Sequence, residues 1–260
     1  MENTQKKVNV FNKIIQIGII SWGLVILIWS LGAFKLDKIF LPSPLETGDA
    51  LLKLAKEGTL WSDIAASFGR VAKGWGLAIA TAVPIGLIVG HFKHIRWLVE
   101  PVLNLFRFVP AIALTSLFLM WFGVDDKSKV ALILYASFFP ILVNTIAGVV
   151  STDKSLIEAA SCMGAGRVRV FFTVILPSAV PNIFTGVRLG LSSSIICVIA
   201  AEMLVGGDGL GYRIQSSRMY YKTDWAFAGI VTLAILGFVA DRLLLFLGAK
   251  LLKHFGVKKA

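Results

Sequence analysis

The residues whose types and spacing are most distinctive are Glu158, Ala159 and Ala160, followed by Gly164 and then by Leu176 and Pro177. They lie in a polar stretch, 151–185, between two long apolar segments. A lone carboxylate beside two alanines has no acid, base or nucleophile at a fixed spacing, so the pattern suits docking better than catalysis. Two alanines leave a smooth helix face that another protein can approach closely. Glu158 also fits as the last residue of an S-x-x-E capping box opened by Ser155. Capping and docking are compatible, because a rigid knob needs a defined first turn.

The remaining candidates for chemistry are weaker. Gly206-Gly207-Asp208-Gly209-Leu210-Gly211 has the glycine density of a phosphate loop, but it follows an apolar helix and no Lys-Ser/Thr succeeds it. It reads as a turn that ends a span. No G-x-x-x-x-G-K-[ST] occurs in the sequence, so no Walker A loop is expected. His91 and His94 share a helix face at i, i+3 spacing without a third ligand nearby, and Cys162 and Cys197 form no CxxC pair. No metal centre is expected from them. Charges inside apolar segments are costly in lipid and therefore informative. Four stand out, Arg107, just before Pro110, then Glu202, and the neighbours Asp241 and Arg242. Each is held by a structural partner or lines a route, and Arg107 and Glu202 are the candidates for a translocation path. No paired carboxylates and no Ser/His/Asp arrangement mark an enzyme.

The elements that must position these residues follow from composition. The chain has 260 residues, is 57% hydrophobic and only 16% charged, with a mean hydropathy of +0.80. Soluble domains run about 45–50% apolar and about 25% charged, so this is a polytopic membrane protein. Crossing a bilayer core takes about 20 helical residues. Six segments qualify, 14–34, 68–90, 101–124, 130–150, 186–206 and 225–249. Their lengths are helical and they lack ten-residue alternation, so the expectation is an all-α integral membrane protein with six transmembrane helices in one domain, 1–260. Pro84, Pro110 and Pro140 should kink their spans.

The net charge of +11 comes mostly from Lys and Arg flanking these spans, where they set topology rather than bind nucleic acid. Lys6, Lys7 and Lys13 precede a first apolar run that is too long for a signal peptide and lacks an A-x-A site. It reads as a retained span with its N-terminus inside. The basic connector 91–96 and the tail lysines agree, which places 151–185 in the cytoplasm.

Two connectors carry helix signals. Ser43, Pro44 and Glu46 form a capping box with proline at the first helical position, predicting a helix to about Glu57 that Gly58 stops. Ser155 and Glu158 predict a second helix over 156–163, turned by Gly164 and Gly166. Pro177 and Pro181 should then break the next helical stretch, 167–176, before the fifth span.

Glu158-Ala159-Ala160, three residues, Gly164, nine residues, Val174, one residue and Leu176-Pro177 resemble the EAA loop of ATP-binding-cassette (ABC) importer permeases. Val174 stands where that family usually has Ile. From about residue 40 onward the chain is similar to the sulfonate, taurine and nitrate branch. The resemblance is carried by Leu41-Pro42-Ser43-Pro44, Trp121-Phe122-Gly123, Phe139-Pro140-Ile141-Leu142-Val143-Asn144-Thr145, Thr185-Gly186-Val187-Arg188, Ala201-Glu202-Met203 and Gly209-Leu210-Gly211-Tyr212. It implies the type I ABC importer permease fold, in a multi-pass bacterial inner-membrane protein. It also implies a cytoplasmic coupling helix that sits in a cleft of a separate ATPase subunit. Two permease copies and an extracytoplasmic substrate-binding protein complete the assembly it implies. ATP and magnesium would then sit on the partner ATPase, this chain would bind no cofactor, and the cargo would be a small solute such as a sulfonate, taurine or nitrate. An ion-gradient-driven secondary transporter is the alternative, and it would not need the EAA loop.

Overall fold

Where apolar runs exceed the length of a membrane crossing, the chain forms helices, because lipid offers backbone groups no partner but their own. The computed structural model describes residues 21–252 and 255. Among these residues there is no strand. The helices are α1 (Ser21–Lys35), α2 (Pro44–Lys56), α3 (Thr59–His91), α4 (Lys93–Phe106), α5 (Thr115–Phe122), α6 (Asp126–Val150), α7 (Lys154–Cys162), α8 (Arg167–Val170), α9 (Leu176–Val205), α10 (Leu210–Met219) and α11 (Thr223–Leu251). A 3₁₀ turn, Ala111–Leu114, precedes α5, and a π turn, Phe171–Ile175, joins α8 to α9.

Among the described residues, four helices are long and apolar enough to cross a membrane, or five if α4 and α5 form one bent crossing. The expected first span, 14–34, falls partly outside the described residues; its remainder is the apolar helix α1. Two expectations need correction. The 101–124 segment is not a single helix kinked at Pro110 but a break there between two, since α4 and the Ala111–Phe122 stretch meet at 84°. Pro110 has no N–H to continue the ladder; Phe106 O accepts the Val109 N–H at 3.1 Å and the hydroxyl of Tyr135 on α6 at 2.8 Å, and Val109 O lies 3.5 Å from the same hydroxyl. Pro177 and Pro181 also fail to break the chain, which stays helical from Arg167 to Val205. The π turn bonds Leu176 N–H to Phe171 O, and Pro177 follows directly in the first turn of α9, where proline is tolerated.

The chain forms two compact units. One comprises residues up to Trp61 together with Arg213–Val231, the other Ser62–Tyr212 together with Thr232 onward. In the first, the capping box is present as read from the sequence: Glu46 accepts the Ser43 N–H at 2.9 Å and Ser43 Oγ accepts the Glu46 N–H at 3.2 Å. That backbone bond holds the Glu46 carboxyl below its ordinary range. α2 ends at Glu57, with Gly58 at a φ of +80°. The Trp29 indole donates to Pro42 O at 2.9 Å, tying α1 to the start of this helix.

The second unit is built on α3, α6 and α9, packed through glycine. A Cβ at Gly86 or Gly90 of α3 would lie 2.7 Å from Thr145 or Val149 of α6. On α9, a Cβ at Gly186 would lie 2.7 Å from Asn144, and one at Gly190 would lie 2.8 Å from Ile141. Each pair is spaced by four, the small-xxx-small pattern that lets membrane helices approach closely. Ser137 and Ser194 share a hydrogen bond of 2.6 Å between α6 and α9. Val71, Leu132, Ile133, Leu191 and Val198 fill the core beside it.

Candidate functional site

The expected coupling segment folds as a short exposed helix. α7 begins at Lys154, two residues before the predicted start, because Asp153 rather than Ser155 is the N-cap. Its carboxylate accepts the Ser155 N–H at 2.9 Å, which lowers its pKa from the ordinary aspartate value. The helix closes with Ala165 N–H on Ala160 O at 3.1 Å and Gly164 N–H on Ser161 O at 2.9 Å. This is a Schellman motif, and it places Gly164 at a φ of +84°, where a side chain would be strained.

The alanine pair divides its work. Ala160 is buried against Val149, Val170, Ile175 and Ala179, which fastens the helix to the ends of α6 and α9. Ala159 and Glu158 face outward, and Glu158 takes no part in the cap. Leu156 and Met163 at the two ends of this helix and Val168 of α8 are 52%, 82% and 72% exposed, apolar side chains on a polar loop. Leu176 and Pro177 are half-buried at the start of α9.

The opposite end of α6 and α9 holds a charged cluster that sequence reading assembled only in part. Glu202, read as a path candidate, is fully buried. Its carboxylate accepts Arg70 Nη1 at 2.7 Å, Ser67 Oγ at 2.8 and 2.9 Å, and the Gly211 N–H at 2.9 Å. Arg70 also donates to Asp126 Oδ1 at 2.8 Å, to the Asp208 carbonyl at 3.1 Å and to the Asp208 carboxylate. Lys129 donates to Gly206 O at 2.8 Å, and Ser67 Oγ accepts the Leu210 N–H at 2.9 Å.

The glycine-rich turn is therefore a clasp. It ends α9, as expected, and ties that end to α3 and α6. Gly209 is at a φ of +106°, and a Cβ there would meet the Glu202 carboxyl carbon at 2.4 Å. Ser67, Arg70, Asp126, Lys129 and Asp208 were all missed as members. The local signal was an arginine near the start of an expected span.

Arg107 follows α4 at the bend and is exposed. It lines a cavity of about 350 Å³ with Tyr135 and Phe139 of α6 and Ser193, Ile196 and Cys197 of α9. Its guanidinium lies 4.9 Å from the Phe108 ring centre. Asp241 pairs with Arg188 of α9, through bonds of 2.5 and 2.8 Å, and Arg242 stacks over Phe238. His91 and His94 do not share a helix. His91 ends α3, edge-on to Phe92 and Phe171, while His94 lies in the first turn of α4. No group of three or more metal-ligating residues occurs among the described residues.

The chain is similar to known proteins. Residues 82–253 match the family described as binding-protein-dependent transport system inner membrane component. The taurine transport system permease protein TauC of Escherichia coli is 35% identical over 82% of this chain and 80% of its own length. A Bacillus subtilis protein, SsuC, named for aliphatic sulfonates transport as a permease, is 33% identical over 91% of this chain and 86% of its own. Among solved structures, the inward-facing MetNI methionine ABC transporter superposes with a TM-score of 0.59 at 20% identity, covering 76% of this chain and 94% of that one.

Proposed function

The chain belongs to the binding-protein-dependent transport system inner membrane component family, and from that membership we propose that it is the permease subunit of an ATP-driven importer of a small anion, of the sulfonate, taurine or nitrate kind. Two copies assemble with two ATPase subunits and receive cargo from an extracytoplasmic binding protein. ATP with its magnesium stays on the ATPase. Closure of the ATPase pair moves α7, and the spans re-orient to expose their cavity alternately to the two sides.

One observation carries the coupling role. α7 presents Glu158 and Ala159 outward, with exposed Leu156 and Met163 at its two ends, while Ala160 roots it in the core. A knob built this way accepts a partner on one face and transmits its displacement to α6 and α9 on the other. The cargo reading is supported by the names of the taurine and sulfonate relatives and by the chemistry of the cavity at Arg107.

The test is purification in mild detergent followed by reconstitution. The expected result is an ABC ATPase subunit at one-to-one stoichiometry and uptake that stops without ATP. Uptake that survives ATP depletion, with no ATPase recovered, would overturn this function in favour of an ion-gradient-driven transporter.

A further inference from the structure

The cations placed on α3, α6 and α9 toward the core of the second unit are committed to partners. Arg70 and Lys129 are bound in the clasp and Arg188 is bound to Asp241. Arg107 differs. Among the described residues no carboxylate lies within ion-pair distance of it, yet it stands at a helix break beside a cavity. A second donor there is also unspent. Ser192 and Ser194 bond back to the carbonyls of Arg188 and Gly190, at 3.4 and 2.8 Å. Ser193, between them, makes no such bond among the described residues and lines the same cavity as Arg107. Phe139 and Ile196 give that cavity apolar walls.

We propose that Arg107 and Ser193 form an anion-selecting station, which binds the oxyanion headgroup of a small organic sulfonate while Phe139 and Ile196 receive its aliphatic part. This rests on the anion-import reading and names the residues that would enforce it. A guanidinium presents a planar fork of donors that matches an oxyanion in pairs. Low-dielectric walls focus its field, so the charge discriminates more strongly than it would in water. The 84° bend supplies the geometry. Arg107 is the last residue to keep the α4 ladder, its N–H on Leu103 O at 3.1 Å, and beside it the Tyr135 hydroxyl donates to Phe106 O at 2.8 Å, so that carbonyl is not left bare toward an anion.

The test uses the assembled importer in its membrane. Ile196, 67% exposed and in the cavity wall, is replaced by Cys in a Cys162→Ser background. It is then modified with anionic sulfonatoethyl or cationic trimethylammonioethyl methanethiosulfonate, with the background lacking the new thiol subtracted. The anionic-to-cationic rate ratio should fall about tenfold in Arg107→Gln and much less in Arg107→Lys. Ethanesulfonate should slow the anionic reagent, and less so in Ser193→Ala. An unchanged ratio in Arg107→Gln overturns the station, as does loss of assembled complex in both Arg107 variants. Uptake of labelled ethanesulfonate separates the two readings. A changed ratio without uptake by the native importer refutes the sulfonate cargo but keeps an anion station. Uptake with an unchanged ratio keeps the importer and refutes the station.

Discussion

Helices α6 and α9 carry opposite solutions at their two ends. At the Val150 end they meet α7, a helix fastened by one buried alanine and otherwise turned outward. At the Asp126 end they are locked to α3 by a cluster around Arg70 and Glu202, both almost wholly buried. α6 has 25 residues, so the two sites lie roughly 37 Å apart along it. A polar cluster taken out of water is costly unless every member is satisfied, so it persists where it fixes a geometry. An exposed alanine face has no such cost and leaves its surface free for a partner. One end buries its polar groups to join three helices, and the other leaves a helix face uncovered.

The largest effects should come from opening the locked end. Replacing Arg70 with Met leaves the Glu202 charge buried without its ionic partner and should cost about 3–5 kcal/mol, whereas Glu202→Leu leaves Arg70 paired with Asp126 and Asp208 and should cost less. Thermal unfolding of the detergent-purified protein measures this. The double replacement should recover part of the loss, because no orphaned charge remains in the pair. Equal losses in single and double variants would mean that the pair is not a coupled unit.

Glycine variants separate steric from backbone effects at the same end. Gly209→Ala meets the Glu202 carboxyl and also sits at a positive φ, so a loss of about 2–3 kcal/mol is expected. Gly207→Ala is comparably strained, at a φ of +100°, but its nearest neighbour is the flexible end of Lys129 at 3.6 Å. It should lose only about 1 kcal/mol. Similar losses in the two would remove the close approach to Glu202 as the reason for the glycine.

The sequence revealed what depends on near neighbours. Ser43, Pro44 and Glu46 were legible as a cap because every partner lies within three positions, and the membrane class was legible from composition. The end of α7 was legible because only glycine suits the turn at 164. Its start was not, since Asp153 and Ser155 are both good caps and only the backbone path selects the first. A bend after Arg107 was legible from Pro110, but the Tyr135 hydroxyl that ties it to α6 comes from another helix. Arg70 and Glu202 lie 132 positions apart, and no spacing rule links them.

At the movable end, transport and stability should part company. Gly164→Asp places a side chain at a φ of +84° in a position with nothing within 4 Å. It should cost only about 1 kcal/mol, while ATP-driven uptake falls at least about tenfold because the docking surface is tilted. Glu158→Ala should leave stability within about 0.5 kcal/mol and still lower uptake. Normal uptake in both variants would remove α7 from the coupling path and leave the two ends without a functional contrast.

The smallest effect is a pH dependence at Asp153. Its bond from the Ser155 N–H lowers its pKa from the ordinary 3.8. A carboxyl lowered on folding stabilises the folded state above its unfolded value, and that contribution disappears as pH falls through the lowered one. The cap should therefore be fully present at neutral pH and unchanged down to about pH 5, with loosening confined to stronger acid. Hydrogen exchange at the first amides of α7 reads this directly. Asp153→Asn, which still accepts the Ser155 N–H, should keep those amides protected and remove their pH dependence, whereas Asp153→Ala should expose them at every pH. In neither variant should the clasp at the far end of α6 respond, because the rigid core lies between them. Altered exchange at Leu210 or Gly211 would instead show that the two ends are conformationally coupled at rest.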